Sequence, residues 1–517
     1  MVLTPNMWKS PRSGSFQDAT KWTTGNVPAS QDDALITATG ASYTVTSSAN
    51  VVVNAFALTA RATLAITGAS TFTAANGTAG ASSYTDFGSI KVGAGSTLNI
   101  GGAFAESGGR LYSAGTTNIA DAAVTLTSGT ISTQGGVVNL TGDALSLDAK
   151  SQLRAGVGVG ANAGGTLNIT DSSVTGGQVL ARYAGVAGNP DIVNLTDDTL
   201  TNVYFDSTNG GVINVLGSTR IEGGSGAPTT VNTAQIEVQD GATLTLSGVI
   251  NNVGYYAYSG VFLDSTAGSA ANTQLLIQGS VTLKGGARGG VIGLSDSLSN
   301  VIDGAAGGGA LDNVSNTIVG AGFIGAGDGL LTLTNSGTIE AKGVNGLFLD
   351  TSSFGAAGTV DNTGGVLEAF GLGGLHLAAN TNVMNGTAEI FANSSLELQH
   401  STGLGVVFED NGASAALTLD TALDQSFYNG SGGGDGTIAF DAASGVSDSV
   451  NLAGLTYSAG AMTESYTVSA GVGLLSVSNG RGVVNLDIVD QGYSLADFSL
   501  SKFAAAGHTG TTVTFSS

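Results

Sequence analysis

Cysteine is absent from the 517 residues, which excludes a disulfide framework, a thiolate metal site and a cysteine nucleophile. Charge is scarce as well: 10 % of residues are Asp, Glu, Lys or Arg, against about 25 % in an ordinary globular domain. Basic residues are the scarcest, 15 against 38 acidic, for a net charge of −23. That balance argues against nucleic acid as a partner, because a phosphate backbone is met by clustered Lys and Arg. No apolar run approaches the ~18 residues of a transmembrane helix, so no transmembrane segment is expected. Met1–Phe16 lacks the apolar stretch of a secretory signal peptide. Strong helix formers are few while Thr, Val and Ile are plentiful, and 42 % of residues are hydrophobic. The balance predicts a large all-β chain rather than a disordered acidic one.

Glycine is abundant, with 82 copies, and the sequence repeats. A tetrad of apolar or Thr, apolar, Asn, apolar returns as Thr97-Leu98-Asn99-Ile100, at Asn118, Asn139, Asn168 and Asn194, and as Val212-Ile213-Asn214-Val215. Its asparagines lie 19, 21, 29, 26 and 20 residues apart. A second repeat, Asn335-Ser336-Gly337, is echoed at Asn362 and Asn385. A persistent period of roughly 20–30 residues, with alternating strands such as Thr243-Leu244-Thr245-Leu246, is the mark of a coiled solenoid of short strands. The fold class is therefore all-β: a right-handed parallel β-helix over residues 41–415, with an N-terminal cap over 1–40 and a β-rich C-terminal module over 416–517. Gly and Asn supply left-handed corners, and asparagines in register are able to stack as a hydrogen-bonded ladder. Trp8, Phe16 and Trp22 crowd the start of an aromatic-poor chain and are assigned to the cap and to a joint for end-to-end assembly.

Trp22, Gly25-Asn26-Val27-Pro28, Asp32-Asp33-Ala34 and Tyr43-Thr44-Val45 together resemble the opening of β-helical surface proteins of Gram-negative bacteria. Asn316-Thr317-Ile318 through Thr338-Ile339 resembles the repeats of haemagglutinin-like and autotransporter-like passengers, and the C-terminal segment looks like the tails of type I-secreted proteins. The resemblance implies a secreted extracellular or cell-surface protein, exported by a type I-like route through a C-terminal signal. It implies a structural role as adhesin, biofilm-matrix or surface-layer component, associating with itself as filaments or sheets and with surface or matrix polysaccharide. Many such tails bind calcium; Asp435, Asp441 and Asp448 are the candidate oxygen ligands here.

The alternative is a polysaccharide-binding or polysaccharide-degrading β-helix, which as a hydrolase needs two carboxylates at a defined separation. Asp32-Asp33 and Asp197-Asp198 are adjacent, and neighbours on a strand point to opposite faces, so neither pair makes an acid/base couple. Arg154, Arg182 and Arg220 are scattered singly, and Tyr255, Tyr256 and Tyr258 form the densest aromatic cluster. No catalytic residue is assigned, and the expectation is a protein that is not an enzyme.

Overall fold

The structure is a computed structural model describing residues 4–77, 88–156, 164–181, 190–207, 210–224, 230–254, 259–378, 380–409, 413–419, 436–440, 447–505 and 508–516. Among these the elements are strands and short 3-10 turns, and no helix is long and apolar enough to cross a membrane. The chain is a parallel β-solenoid divided into two compact units. The first comprises Met1–Leu244 with Val249–Val261, the second Thr245–Gly248 with Phe262–Ser517.

In the first unit each coil supplies three short strands. Val137–Thr141, Ala144–Leu147 and Gln152–Ala155 make one coil; Thr166–Thr170, Ser173–Thr175 and Gln178–Ala181 make the next. Each strand pairs in parallel with its counterpart one coil on, so three ladders run through the unit. Period-2 alternation sends one side chain in and the next out. Val138, Leu167 and Val193 stack as one inward column, Leu140, Ile169 and Leu195 as another, all wholly buried. Each such side chain contributes about 2 kcal/mol of apolar burial.

The corner between first and second strands is a turn whose leading residue is left-handed: Gly102 (φ 71°), Asp121 (52°), Gly142 (68°), Asp171 (52°) and Asp197 (59°). Asp tolerates this conformation because its short side chain bonds locally. Between Asn118 and Asn194 most of the variation in the period falls elsewhere, between a coil's third strand and the next coil's first. Two residues separate Ser113 from Thr116, whereas ten separate Ala155 from Thr166 and ten separate Ala181 from Ile192.

The tetrad asparagines face outward and stack in register. Nδ2 of Asn118 donates to Oδ1 of Asn99 (2.8 Å), Asn139 to Asn118 (2.8 Å), Asn168 to Asn139 (2.8 Å), Asn194 to Asn168 (2.9 Å) and Asn214 to Asn194 (3.0 Å). Asn99 in turn donates to Oγ1 of Thr73, and Gln239 donates to Oδ1 of Asn214, finishing the ladder at both ends.

The start of this unit is closed by aromatic rings. Thr4–Met7 pairs with Asp32–Leu35, and Gly14–Ser15 pairs with Val45–Thr46. Trp8 meets Trp22 edge-on (5.1 Å), Trp22 meets Phe16 (4.9 Å), and Phe16 meets Phe72 (5.5 Å).

The second unit repeats the three-ladder plan. Thr338–Ala341, Leu347–Leu349 and Gly358–Asp361 pair in parallel with Val366–Ala369, Leu375–Leu377 and Thr381–Met384. Its own asparagines are internal. Asn313, Asn335 and Asn362 are wholly buried, and Nδ2 of Asn313 donates to Asn335 and Nδ2 of Asn335 to Asn362, each at 2.8 Å. They also bind corner carbonyls of Asn316, Gly337 and Gly365. Asn385 instead takes a left-handed conformation (φ 61°) and donates to Oγ1 of Thr363.

Beyond the parallel coils the strands run antiparallel. Ser447–Leu452 pairs with His508–Ser516, which pairs with Phe498–Ala505. Thr463–Ser469, Val472–Ser478 and Val483–Val489 form a meander, joined to the parallel ladder where Ile438 pairs with Ile488. Phe440, Phe498 and Phe515 are buried together at this end.

Candidate functional site

Trp8, Phe16 and Trp22 are 2 %, 0 % and 0 % exposed. Their polar groups are turned to the backbone as well: Trp22 Nε1 donates to the carbonyl of Phe16 (2.8 Å) and Trp8 Nε1 to that of Arg12 (3.0 Å). These rings cover the first coils of their unit and present no open aromatic face to another molecule.

Of the calcium candidates, Asp435 and Asp441 lie outside the described residues. Asp448 is 2 % exposed, and its carboxylate accepts the backbone N–H of Ala415 at 3.2 Å. Among the described residues no three His, Cys, Asp or Glu side chains come together as a metal-holding group. Tyr255, Tyr256, Tyr258 and Arg182 also lie outside the described residues.

Asp197 and Asp198 do separate, but at a left-handed corner between two strands rather than by alternation along one. Asp197 accepts the N–H of Ser218 (2.8 Å), while Asp198 turns into the corner and accepts Ser172 N–H and Thr196 N–H, each at 2.9 Å. Asp143 occupies the equivalent place two coils earlier, accepting Ala122 N–H (2.8 Å) and Thr141 N–H (3.0 Å). Burial pushes the Asp143 carboxyl up to about 6 and that of Asp198 up to about 7, against the pull of these N–H donors. Asp33 accepts from the Asn54 side chain, and Asp32 from the N–H of Ala29. Each of these carboxylates holds a turn or a neighbouring coil.

Register brings other groups together that lie far apart in sequence. In the second unit Phe323, Phe348 and His376 stack across successive coils, with centroids 5.2 and 4.6 Å apart. His376 Nδ1 meets Glu397 Oε2 at 2.7 Å and Nε2 meets the Gly373 carbonyl at 2.8 Å. Burial works to lower the His376 pKa, but these two partners and the Glu397 charge together raise it. A groove of about 230 Å³ runs beside the stack, bordered also by Asp350 and Gln399. The rings cover one another's faces, so the groove meets mainly their edges.

On another ladder of that unit Glu340, Glu368 and Glu389 stand in register on successive coils. Burial, then repulsion from Glu340 and Glu389, raises the Glu368 carboxyl. Lys342 pairs with Glu340 at 3.3 Å.

In the first unit Arg220 pairs with Glu222, while Arg154 shares a groove with Lys91 and Arg110. That grouping was invisible as sequence, because its members are separated by 19 and 44 residues. The sequence matches no protein-family model and no curated protein, so the reading of function rests on the chain's own geometry.

Proposed function

We propose that the chain is an extracellular structural solenoid, an adhesin, matrix or surface-layer component that associates with copies of itself and with polysaccharide. The observation that carries this reading is the outward asparagine ladder. Six side-chain amides from Asn99 to Asn214 bond to one another in register, giving one face a flat, uncharged and repetitive surface. Such a face suits lateral association with another repetitive polymer. The buried corner carboxylates support the same reading, since both oxygens of Asp143 and of Asp198 accept backbone N–H groups.

Negative-stain electron microscopy of the purified chain, with calcium and with chelator, tests the proposal. Regular filaments or sheets are expected, and dependence on calcium would assign the metal to the assembly. Dispersed single particles in both conditions, with no binding to polysaccharide-coated surfaces, would overturn it.

A polysaccharide-degrading reading is favoured by one feature, the Glu340–Glu368–Glu389 column. A raised carboxyl flanked by two others is the arrangement from which glycosidases draw an acid and its partner. Release of reducing ends from a polysaccharide panel, lost in Glu368→Gln, would select this reading over the scaffold.

A further inference from the structure

Three of the chain's 15 basic side chains meet on the outward face of the third ladder of the first unit. Ser89–Val92, Arg110–Ser113, Thr130–Thr133 and Gln152–Ala155 lie side by side there. Register sets Lys91 beside Tyr112, Tyr112 beside Ser132 and Ser132 beside Arg154. A second column, two residues back along the strands, holds Arg110, Thr130 and Gln152. The columns border a groove of about 370 Å³ whose lining contains no carboxylate. Between Lys91 and Arg154 lie three coil steps, about 14 Å at the spacing of paired strands, which is the reach of an oligosaccharide rather than of a single small anion.

Ser132, between Tyr112 and Arg154 in the first column, is 1 % exposed and is not part of the groove lining. Arg110 Nη1 donates to the Tyr112 hydroxyl (3.0 Å), which orients a guanidinium that retains further donors.

We propose that this groove binds an acidic oligosaccharide, its carboxylates meeting Lys91 and Arg110, with Arg154, already under the pull of Asp191, at the groove's far end. Its hydroxyls meet Thr130, Gln134 and Gln152. Charge favours a short ligand. A long polyanion such as nucleic acid would extend over the rest of a chain of net charge −23, whereas a short uronate stays within the groove. Screening over about 8 Å at physiological salt keeps the distant carboxylates from cancelling the local field. The inference stands on this groove alone and requires neither reading of the function above.

The test is titration calorimetry of the full chain with a uronic-acid trisaccharide, the neutral trisaccharide of the same linkage, and inorganic sulfate. The uronate is expected to bind at least tenfold tighter than either, and to weaken as salt rises. The Lys91→Ala/Arg110→Ala double variant, in which both residues removed are exposed and the melting temperature serves as the fold control, is expected to lose at least tenfold. Removing two charges from the second unit, Lys284→Ala/Lys502→Ala, should leave binding unchanged. Equal binding of the neutral sugar, sulfate binding as tightly as the uronate, no uronate binding, or an equal loss in the remote double variant would each overturn the proposal.

Discussion

Replacing Asn168 by alanine removes two hydrogen bonds at the middle of the outward ladder. One is its own donation to Asn139 at 2.8 Å; the other is the one it accepts from Asn194 at 2.9 Å. Each is worth about 1 kcal/mol net, and the orphaned amides of Asn139 and Asn194 are half-buried and reach water. The full desolvation penalty therefore does not apply, and the expected loss is about 2 kcal/mol. Asn168→Asp keeps the shape and still accepts from Asn194, but it turns an oxygen toward Oδ1 of Asn139. It should cost at least as much at neutral pH. Asn139→Ala and Asn168→Ala share one bond, so the double variant should cost about 1 kcal/mol less than the sum of the singles, whereas Asn118→Ala with Asn194→Ala should add. Urea unfolding followed by far-UV circular dichroism reads the total. Hydrogen exchange across Thr166–Thr170 reads the local effect, since solenoid coils need not unfold together. A loss below about 0.5 kcal/mol, or strict additivity of the adjacent pair, would refute a cooperative ladder.

Raising the pH should destabilise the first unit. The folded chain retains protons on Asp143 to about 6 and on Asp198 to about 7, while the unfolded chain has lost them near 3.8. Stability is thus fullest below that value and falls by a few kcal/mol as pH rises through 4 to 7; an unchanged slope of melting temperature against pH in Asp198→Asn would contradict this. His376, whose pKa is raised, adds the same sign in the second unit: its contribution is present below the ordinary value of 6.5 and is lost at higher pH, a dependence that Glu397→Gln should abolish. Trp22→Ala should cost about 3–5 kcal/mol as a fully buried ring is removed, and a wild-type denaturation midpoint would show that the aromatic plug is dispensable. Gly136→Ala would drive a Cβ into the Gly115 carbonyl oxygen and should destabilise by about 1–3 kcal/mol or more, whereas Gly405→Ala, with its nearest atom at 3.8 Å, should be nearly neutral.

Much of this architecture was written in the phase of alternation. In Thr97-Leu98-Asn99-Ile100 the flanking apolar residues point inward, so the asparagine must point outward. In Leu331-Thr332-Leu333-Thr334-Asn335 the asparagine falls in phase with the leucines and is buried, and the same residue type therefore makes a surface ladder in one unit and a corner ladder in the other. The three-strand coil was harder to read, because several corners use Asp121, Asp171, Asp197 and Ser128 where glycine or asparagine was expected. The groups gathered by register were beyond sequence reasoning. Lys91, Arg110 and Arg154 become neighbours only once the lengths of the intervening turns are known, and those lengths vary.

That variation follows a rule with a consequence of its own. From Ser113 to Ile192 the connection from a coil's third strand to the next first strand grows from two residues to ten, yet Asn118, Asn139, Asn168 and Asn194 remain in register. Length at this corner is decoupled from the order of the ladders. Closing a longer loop adds only about 0.6 kcal/mol per doubling. The corner is thus a natural graft point: foreign segments can be spliced there at successive coils, and the stacked strands would display them in a row spaced by about 4.8 Å per coil.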